Sequence, residues 1–327
     1  MIEREAHHAS VAVVIPYYQR KTALLRRAVE SVASQSELTA TQVRVIVVDD
    51  GSPLPPAGDL AELRLPDHLT IEIVARANGG AGAARNTGII HALALGCTHL
   101  AFLDSDDHWA PSHLSAALSA LEDASFYFAN SMHDEVPSFS YFKAMKDRRG
   151  DGLITGAEAF DLILDECVPH TSQVVYRLAA FADIRFDETM RRTGEDHLFW
   201  LTIASRGAAL AYSSQIMGHR GSGISIYREA LAWDSPTFIP RLLDAFRFRS
   251  LVAARFGLTA AQARVNSGHR QRAADEIAFA LARRALHSPH TVAREVKQVL
   301  RVGPALWRAI AAAIPRLPLI RRRMVNA

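Results

Sequence analysis

Short apolar runs alternate with amphipathic stretches along the first two thirds of the chain. Residues 10–15 (SVAVVI), 43–48 (VRVIVV), 69–74 (LTIEIV) and 100–103 (LAFL) are β-branched or continuously apolar, and 126–128 is a fifth such run. Each has strand length and predicts a strand. Between the first two, Leu24, Leu25, Ala28, Val29 and Val32 recur at helical spacing behind Thr22, a residue suited to capping. Residues 83–95 and about 111–121 predict two further helices. Strands and helices alternating at this pitch predict an α/β fold, a mostly parallel central sheet flanked by helices.

In such sheets ligands bind beyond the carboxyl ends of the strands. Three polar clusters stand at those ends: Tyr17-Tyr18 after the first strand, Asp49-Asp50-Gly51-Ser52 after the second, and Asp104-Ser105-Asp106-Asp107 after the fourth. They are expected to meet at one edge. Buried acids are costly, so the last cluster lies at the surface or is paired with a cation. Two carboxylates flanking one residue suit a hard divalent ion, which is held by one or two carboxylates plus substrate phosphates. A plain strand-to-helix turn, with its last Asp capping the next helix, is the competing explanation.

The glycine-rich stretch Asn78-Gly79-Gly80-Ala81-Gly82 opens the second long helix, where backbone amides attract phosphate. It lacks the third glycine of a dinucleotide fingerprint, because Arg85 stands there. From 130 to 152 the periodicity fails, and aromatic and basic residues (Phe139, Tyr141, Phe142, Lys143, Lys146, Arg148, Arg149) predict a long loop, binding segment or not. A helix over 156–164 and a strand over 172–176 follow. Thr193 is a plausible cap for a helix carrying Glu195 and Asp196 in its first turn, where negative charge is favourable. A strand near 208–212 leads to His219-Arg220-Gly221-Ser222-Gly223, in which His219 is a candidate metal ligand or phosphate contact.

From about residue 228 the pattern is helical, broken near Gly257, Ser288-Pro289 and Gly303-Pro304. Charge changes here. Residues 241–327 hold 17 Arg or Lys against 4 Asp or Glu, whereas the preceding chain is acidic, and the whole is +3. Val292, Val296, Val299 and Leu300 share a face, as do Leu306, Trp307, Ile310 and Ile314. A basic amphipathic segment bearing Trp suits an anionic membrane surface, or equally a helical cap with a solvated basic face. No nucleic-acid module accompanies the charge, so no nucleic acid is expected as partner. Cys97 and Cys167 give neither a disulfide framework nor zinc spacing, which points to a reducing compartment. The polar N-terminus carries no signal-peptide pattern, and no apolar run approaches 18 residues.

Taken in order, VVIPYYQR, VVDDGS, NGGAGAARNTGI, FLDSDDHWAP and TGEDHLFWL resemble the motifs of the family 2 glycosyltransferases with the GT-A fold. The resemblance spans about residues 11–225 and is similar in kind to the exopolysaccharide glucosyltransferases of succinoglycan assembly. It implies a GT-A catalytic domain over 1–228, with a nucleotide-sugar half about 10–130 and an acceptor half about 131–228. A helical basic extension covers 229–327. It also implies a Mg²⁺- or Mn²⁺-dependent, inverting enzyme. Such an enzyme moves a sugar, glucose by the closer likeness, from UDP to a saccharide on a polyprenyl diphosphate at the inner face of the cell membrane. Tyr18 matches the residue that stacks on uracil, Pro16 shapes its turn, and Asp50 matches the acceptor for the base, with Asp49 beside it. Arg85 matches a basic nucleotide contact. Asp104 and Asp106 match the D-x-D pair, Asp106 as the direct metal ligand, and His219 loosely matches a position near the diphosphate. Asp196 matches the catalytic base. Gln19 stands where the family usually has Asn, and the QxxRW motif of processive synthases is absent, which implies single addition. A nucleotidyltransferase or a silent nucleotide-sugar-binding protein fits less well. The first would want a basic glycine-rich N-terminal loop, and the second would lack the D-x-D pair or the base.

Overall fold

Runs of apolar β-branched residues form strands that can be buried on both faces, and the first strand is such a case. In the computed structural model, which describes residues 9–38, 41–140, 150–166, 169–221, 232–287 and 289–317, β1 (Ser10–Tyr17) has Val11 to Ile15 fully buried. It runs parallel to β2 (Gln42–Asp49) on one side and β4 (His99–Phe102) on the other, and β2 runs parallel to β3 (Leu69–Ala75). The strand continues past Pro16, where the sequence predicts its end. The Val14 carbonyl faces β4 and that of Tyr17 faces the β2 side, so Pro16 lacks its N–H on the β4 side, beyond the last paired residue Phe102.

Among the described residues the sheet has ten strands, in the order β3-β2-β1-β4-β9-β6-β10-β5, with β7 on β6 and β8 on β10. Here β5 is His108–Trp109, β6 Phe126–His133, β7 Val136–Ser140, β8 Gly152–Ile154, β9 Val174–Arg177 and β10 Leu210–Arg220. The parallel order is interrupted once on the main path before its edge: β9 runs antiparallel to both β4 and β6, while β6 and β10 are parallel to each other. Part of the expected long loop after residue 130 is thus the end of β6 and its hairpin partner β7. Residues 141–149, Cys167, residues 222–225 and Arg321 to Arg323 lie outside the described residues.

Helix α1 (Leu24–Ala33) buries Leu25, Ala28, Val29 and Val32 against β1, β2 and their neighbours. Thr22 does not cap it. Its N-cap is Ala23, in a left-handed conformation (φ 70°), and Asp59 of the short helix α2 (Pro56–Leu60) accepts from the amides of Ala23 (2.8 Å) and Leu25 (3.2 Å). A distant carboxylate satisfies the orphan amides that a local hydroxyl usually serves. Helix α3 (Ala81–Ala94) lies close to β1 because Gly88 faces Val14; a Cβ there would stand 2.3 Å from Val14 Cγ1.

The chain divides into two compact units. One comprises Met1–Glu188 and Phe199–Ile224, the other Thr189–Leu198 and Ser225–Ala327. The division is not collinear with sequence, since the segment around Asp196 groups with the C-terminal residues. Within the second unit are α7 (Phe238–Arg255), α8 (Ala260–His287), α9 (Pro289–Leu300) and α10 (Pro304–Ala313), the numbers α4 to α6 going to His113–Ala120, Gly156–Glu166 and Glu195–Ser205. Phe238, Leu242, Phe246, Ile277, Val299, Leu306 and Ile310 form its core. The amphipathic face of α10 is therefore spent inside its own unit, although Leu300 and Ile314 remain exposed. No helix among the described residues is long and apolar enough to cross a membrane.

His113, at the start of α4, is fully buried against Trp109 (ring centroids 4.6 Å apart), and neither ring nitrogen has a hydrogen-bond partner among the described residues. Burial drives its pKa down to about 3, so the fold holds it neutral. The unfolded chain takes up a proton below the ordinary value, about 6.5. Stability from this site is therefore complete above that pH and is lost as pH falls from there towards 3. Replacing His113 with Leu should remove the loss, shrinking the stability difference between pH 7 and pH 5 by about 2 kcal/mol in urea titrations.

Candidate active site

The apolar run of β4 is buried, so the acids that follow it emerge at the carboxyl edge of the sheet. The turn closes through the Asp107 amide, which donates to the Asp104 carbonyl (3.0 Å). Ser172 holds both ends of it. Its Oγ accepts from the Asp104 amide (3.1 Å) and donates to Asp107 Oδ2 (2.5 Å), while the Gly221 amide donates to Asp107 Oδ1 (2.9 Å). Burial, reinforced by the Asp106 and Asp104 carboxylates, pushes the pKa of Asp107 well above the ordinary range. Asp107 is thus internal to the turn and caps no helix.

Asp104 has the opposite character. Burial raises its pKa, but the Arg85 guanidinium, donating to Oδ1 at 2.8 Å, outweighs this and holds it below the usual range. Arg85 is itself buried on α3, and its guanidinium lies 5.4 Å from the centroid of the Phe186 ring. His170, half-buried nearby, has its pKa lowered to about 3 by burial and by Arg220, and pairs with Gln173 Oε1 at 2.6 Å. Asp106 is half-buried, and its carbonyl accepts from Arg27 (2.7 Å).

The ends of β1 and β2 come to this turn through Gln19. Its side-chain amide donates to Ser105 Oγ (2.8 Å), in the middle of D-x-D, and its backbone amide donates to Ser52 Oγ (2.9 Å). Ser52 in turn donates its amide to Asp49 Oδ1 (2.8 Å). Asp50 clamps the glycine-rich turn: Oδ1 accepts from Gly79 (2.9 Å), Oδ2 from Gly80 (2.7 Å), and Arg76 lies 3.2 Å from Oδ1. Both oxygens of the expected base contact therefore already serve backbone amides. Tyr18 follows β1, half-buried, with the Arg20 guanidinium 6.0 Å from its ring centroid.

Two further expected residues have neighbours of their own. His219 lies beside Asp134 and His108, with its Nδ1 3.5 Å from Asp134 Oδ1. Asp196 occupies the first turn of α6, in the second unit, and its Oδ1 accepts from the His197 amide (2.7 Å). Gly194, not Thr193, gives the carbonyl that begins that helix; at φ 96° it packs so closely on Phe248 that a Cβ would lie 2.9 Å from that residue's Cβ. The sequence gives no sign of Ser172, His170 or the bridging part of Gln19, and it names Asp107 only as a member of the acid cluster or a helix cap. A lone Ser or His in a loop carries no pattern, but the departure at Gln19 was a usable signal.

The chain belongs to glycosyl transferase family 2, whose model matches residues 12–184. It is 32% identical over 255 residues to the succinoglycan biosynthesis protein ExoW of Rhizobium meliloti (strain 1021), spanning 73% of this chain and 76% of ExoW. It is 27% identical over 199 residues to a protein of Escherichia coli, 60% of this chain and 71% of that one. That relative is the UDP-Glc:alpha-D-GlcNAc-diphosphoundecaprenol beta-1,3-glucosyltransferase WfaP. Among solved structures, residues 1–349 of S. aureus TarS superpose with a TM-score of 0.61 at 17% identity, over 97% of this chain and 91% of that one. The fold is thus GT-A.

Removing the Asp50 carboxylate should be costly, because it leaves two amide donors and Arg76 without their acceptor. Asp50→Ala is expected to lose about 3–5 kcal/mol of stability in denaturant titrations, the range for breaking a buried charged pair. A loss below 1 kcal/mol would mean the clamp is not carrying the turn.

Proposed function

We propose that this family 2 glycosyltransferase transfers glucose from UDP-glucose, with inversion, to a hydroxyl of a saccharide carried on a polyprenyl diphosphate. The observation that carries this reading is the acid turn. Asp104 is held ionised by Arg85, Asp106 stands two residues on, and Gln19 fastens the turn to the strand end that bears Tyr18. Names of the relatives support the substrates: one acts in succinoglycan biosynthesis, another uses UDP-Glc and a diphosphoundecaprenol acceptor.

Asp106 and Asp104 offer hard oxygen donors, the set that Mg²⁺ or Mn²⁺ takes from protein, and Asp107 is excluded by its bonds to Ser172 and Gly221. When bound, the ion supplies positive charge against the departing diphosphate. Tyr18, after Pro16, stacks on the uracil ring. Asp49 offers an acceptor for the base, while Asp50 positions the glycine turn. Asp196 takes the proton of the acceptor hydroxyl as that oxygen bonds to the anomeric carbon, and the bond from that carbon to UDP breaks. A single displacement inverts the centre, so an α-linked donor yields a β-linked product. The exposed basic residues of 241–327, not the buried Arg249 and Arg284, draw the enzyme to an anionic cytoplasmic membrane face by charge, each one near the surface contributing roughly 1 kcal/mol. Insertion of the α10 face is not part of this, because Leu306 and Ile310 are buried in their own unit.

Steady-state transfer from UDP-glucose to a synthetic polyprenyl-diphosphate saccharide tests the proposal. Excess EDTA should abolish transfer and Mn²⁺ restore it. Asp196→Asn should bind donor normally in calorimetry yet turn over at least about a hundredfold more slowly, the low end for a positioned base. Full activity in chelator, or unchanged turnover in the Asn variant, would overturn the metal or the base respectively. The charge reading has its own check: liposome flotation should show binding that needs anionic lipid and weakens with salt.

A further inference from the structure

His108, Asp134 and His219 come together from three separate places in the sequence. β5 begins with His108 directly after the acid turn, and its antiparallel register with β10 sets His219 opposite His108. The two imidazoles lie nearly parallel, with centroids 4.9 Å apart and planes 12° apart. Asp134 follows β6, and its amide donates to the Arg220 carbonyl (3.0 Å), which keeps it beside β10. One ligand atom from each of the three lies within 4.8 Å of the other two.

Two features distinguish this group from an ordinary histidine–carboxylate pair. The His219 Nδ1 to Asp134 Oδ1 distance is 3.5 Å, whereas His91 and Glu72 in the same molecule close to 2.7 Å. A gap of that size is too long for a good hydrogen bond. It is near the edge of a tetrahedron of ligands each about 2.1 Å from a central ion, which is about 3.4 Å. Meanwhile His108 Nδ1 is buried without a hydrogen-bond partner among the described residues, a state that buried polar atoms rarely keep. The other oxygen of Asp134 accepts from Arg27 (3.0 Å), and Arg27 is fixed in turn by the Asp106 carbonyl (2.7 Å). Outer partners of this kind orient a ligating carboxylate.

We propose that His108, Asp134 and His219 form a second metal site that binds a divalent transition ion of the zinc class, separate from the ion held through Asp104 and Asp106. Two imidazoles and one carboxylate select Zn²⁺ over Mg²⁺, which takes oxygen donors. The ion clips the chain just after Asp107 to the ends of β6 and β10, and so steadies the acid turn. It is a structural ion, and its binding does not depend on the sugar chemistry proposed above.

The test uses the full-length chain, stripped with chelator and then equilibrated with Zn²⁺ in excess Mg²⁺, with metal content and calorimetry as readouts. Expected is one zinc per chain, retained in Asp106→Ala and weakened at least about a hundredfold in His219→Gln and in His108→Gln, since loss even of an outer partner costs tens-fold. Circular dichroism establishes that these variants are folded. If either is not, Co²⁺ added to the wild-type chain decides: a strong visible absorption band that Zn²⁺ abolishes supports the site, and its absence overturns it. No zinc bound by the wild-type chain at micromolar concentration would overturn the proposal. So would zinc lost in Asp106→Ala but kept in His219→Gln, which would assign the ion to the acid turn.

Discussion

A carboxylate taken out of water must find a cation or hydrogen-bond donors, and the edge of this sheet is organised by that requirement. Asp50 and Asp107 are buried and Asp104 is half-buried, and each meets the demand differently. Asp50 takes two backbone amides and Arg76, Asp104 takes Arg85, and Asp107 takes a hydroxyl and an amide while its proton affinity rises. Those partners come from α3, the glycine turn, the segment before β9 and the end of β10. Pairing the acids therefore fixes the positions of four otherwise unrelated stretches of chain. Asp106, between two such acids, is the one held by its carbonyl at the rim of the turn.

Much of this was legible because strand ends in an α/β sheet converge by geometry. The apolar runs at 10–15, 43–48, 69–74 and 100–103 mark four neighbouring strands, and the polar residues after them are brought together whatever loops intervene. Gln19 joining Ser105 and Ser52 is the physical form of that convergence. What sequence could not supply was partner choice. Nothing local indicates that Asp59 caps α1, that Ser172 holds both ends of the acid turn, or that the oxygens of Asp50 are engaged by Gly79 and Gly80, because each depends on contacts made across 29 to 68 residues. From sequence alone His219 is a candidate metal ligand or phosphate contact. Its neighbours depend on the β5–β10 register, and a two-residue strand such as His108–Trp109 leaves no periodic trace.

The C-terminal residues show the same limit from the opposite side. Amphipathic periodicity identified their helices and breaks, but an apolar stripe is satisfied equally by lipid or by a neighbouring helix. Packing chose the helix: Val299, Leu306 and Ile310 belong to a core with α7 and α8. The charge surplus is untouched by that choice, and it remains the feature of this unit that can act at long range on an anionic surface.

The central claim is that the acid turn and the neighbouring strand ends form one binding site for a nucleoside diphosphate and its metal. Calorimetric titration of UDP into the chelator-stripped full-length chain, with and without Mn²⁺, addresses it most directly. Binding should be at least about tenfold tighter with Mn²⁺, and that gain should vanish in Asp106→Ala, as loss of charge-assisted contacts to a diphosphate requires. Equal affinity with and without the ion, or a gain that survives Asp106→Ala, would contradict it.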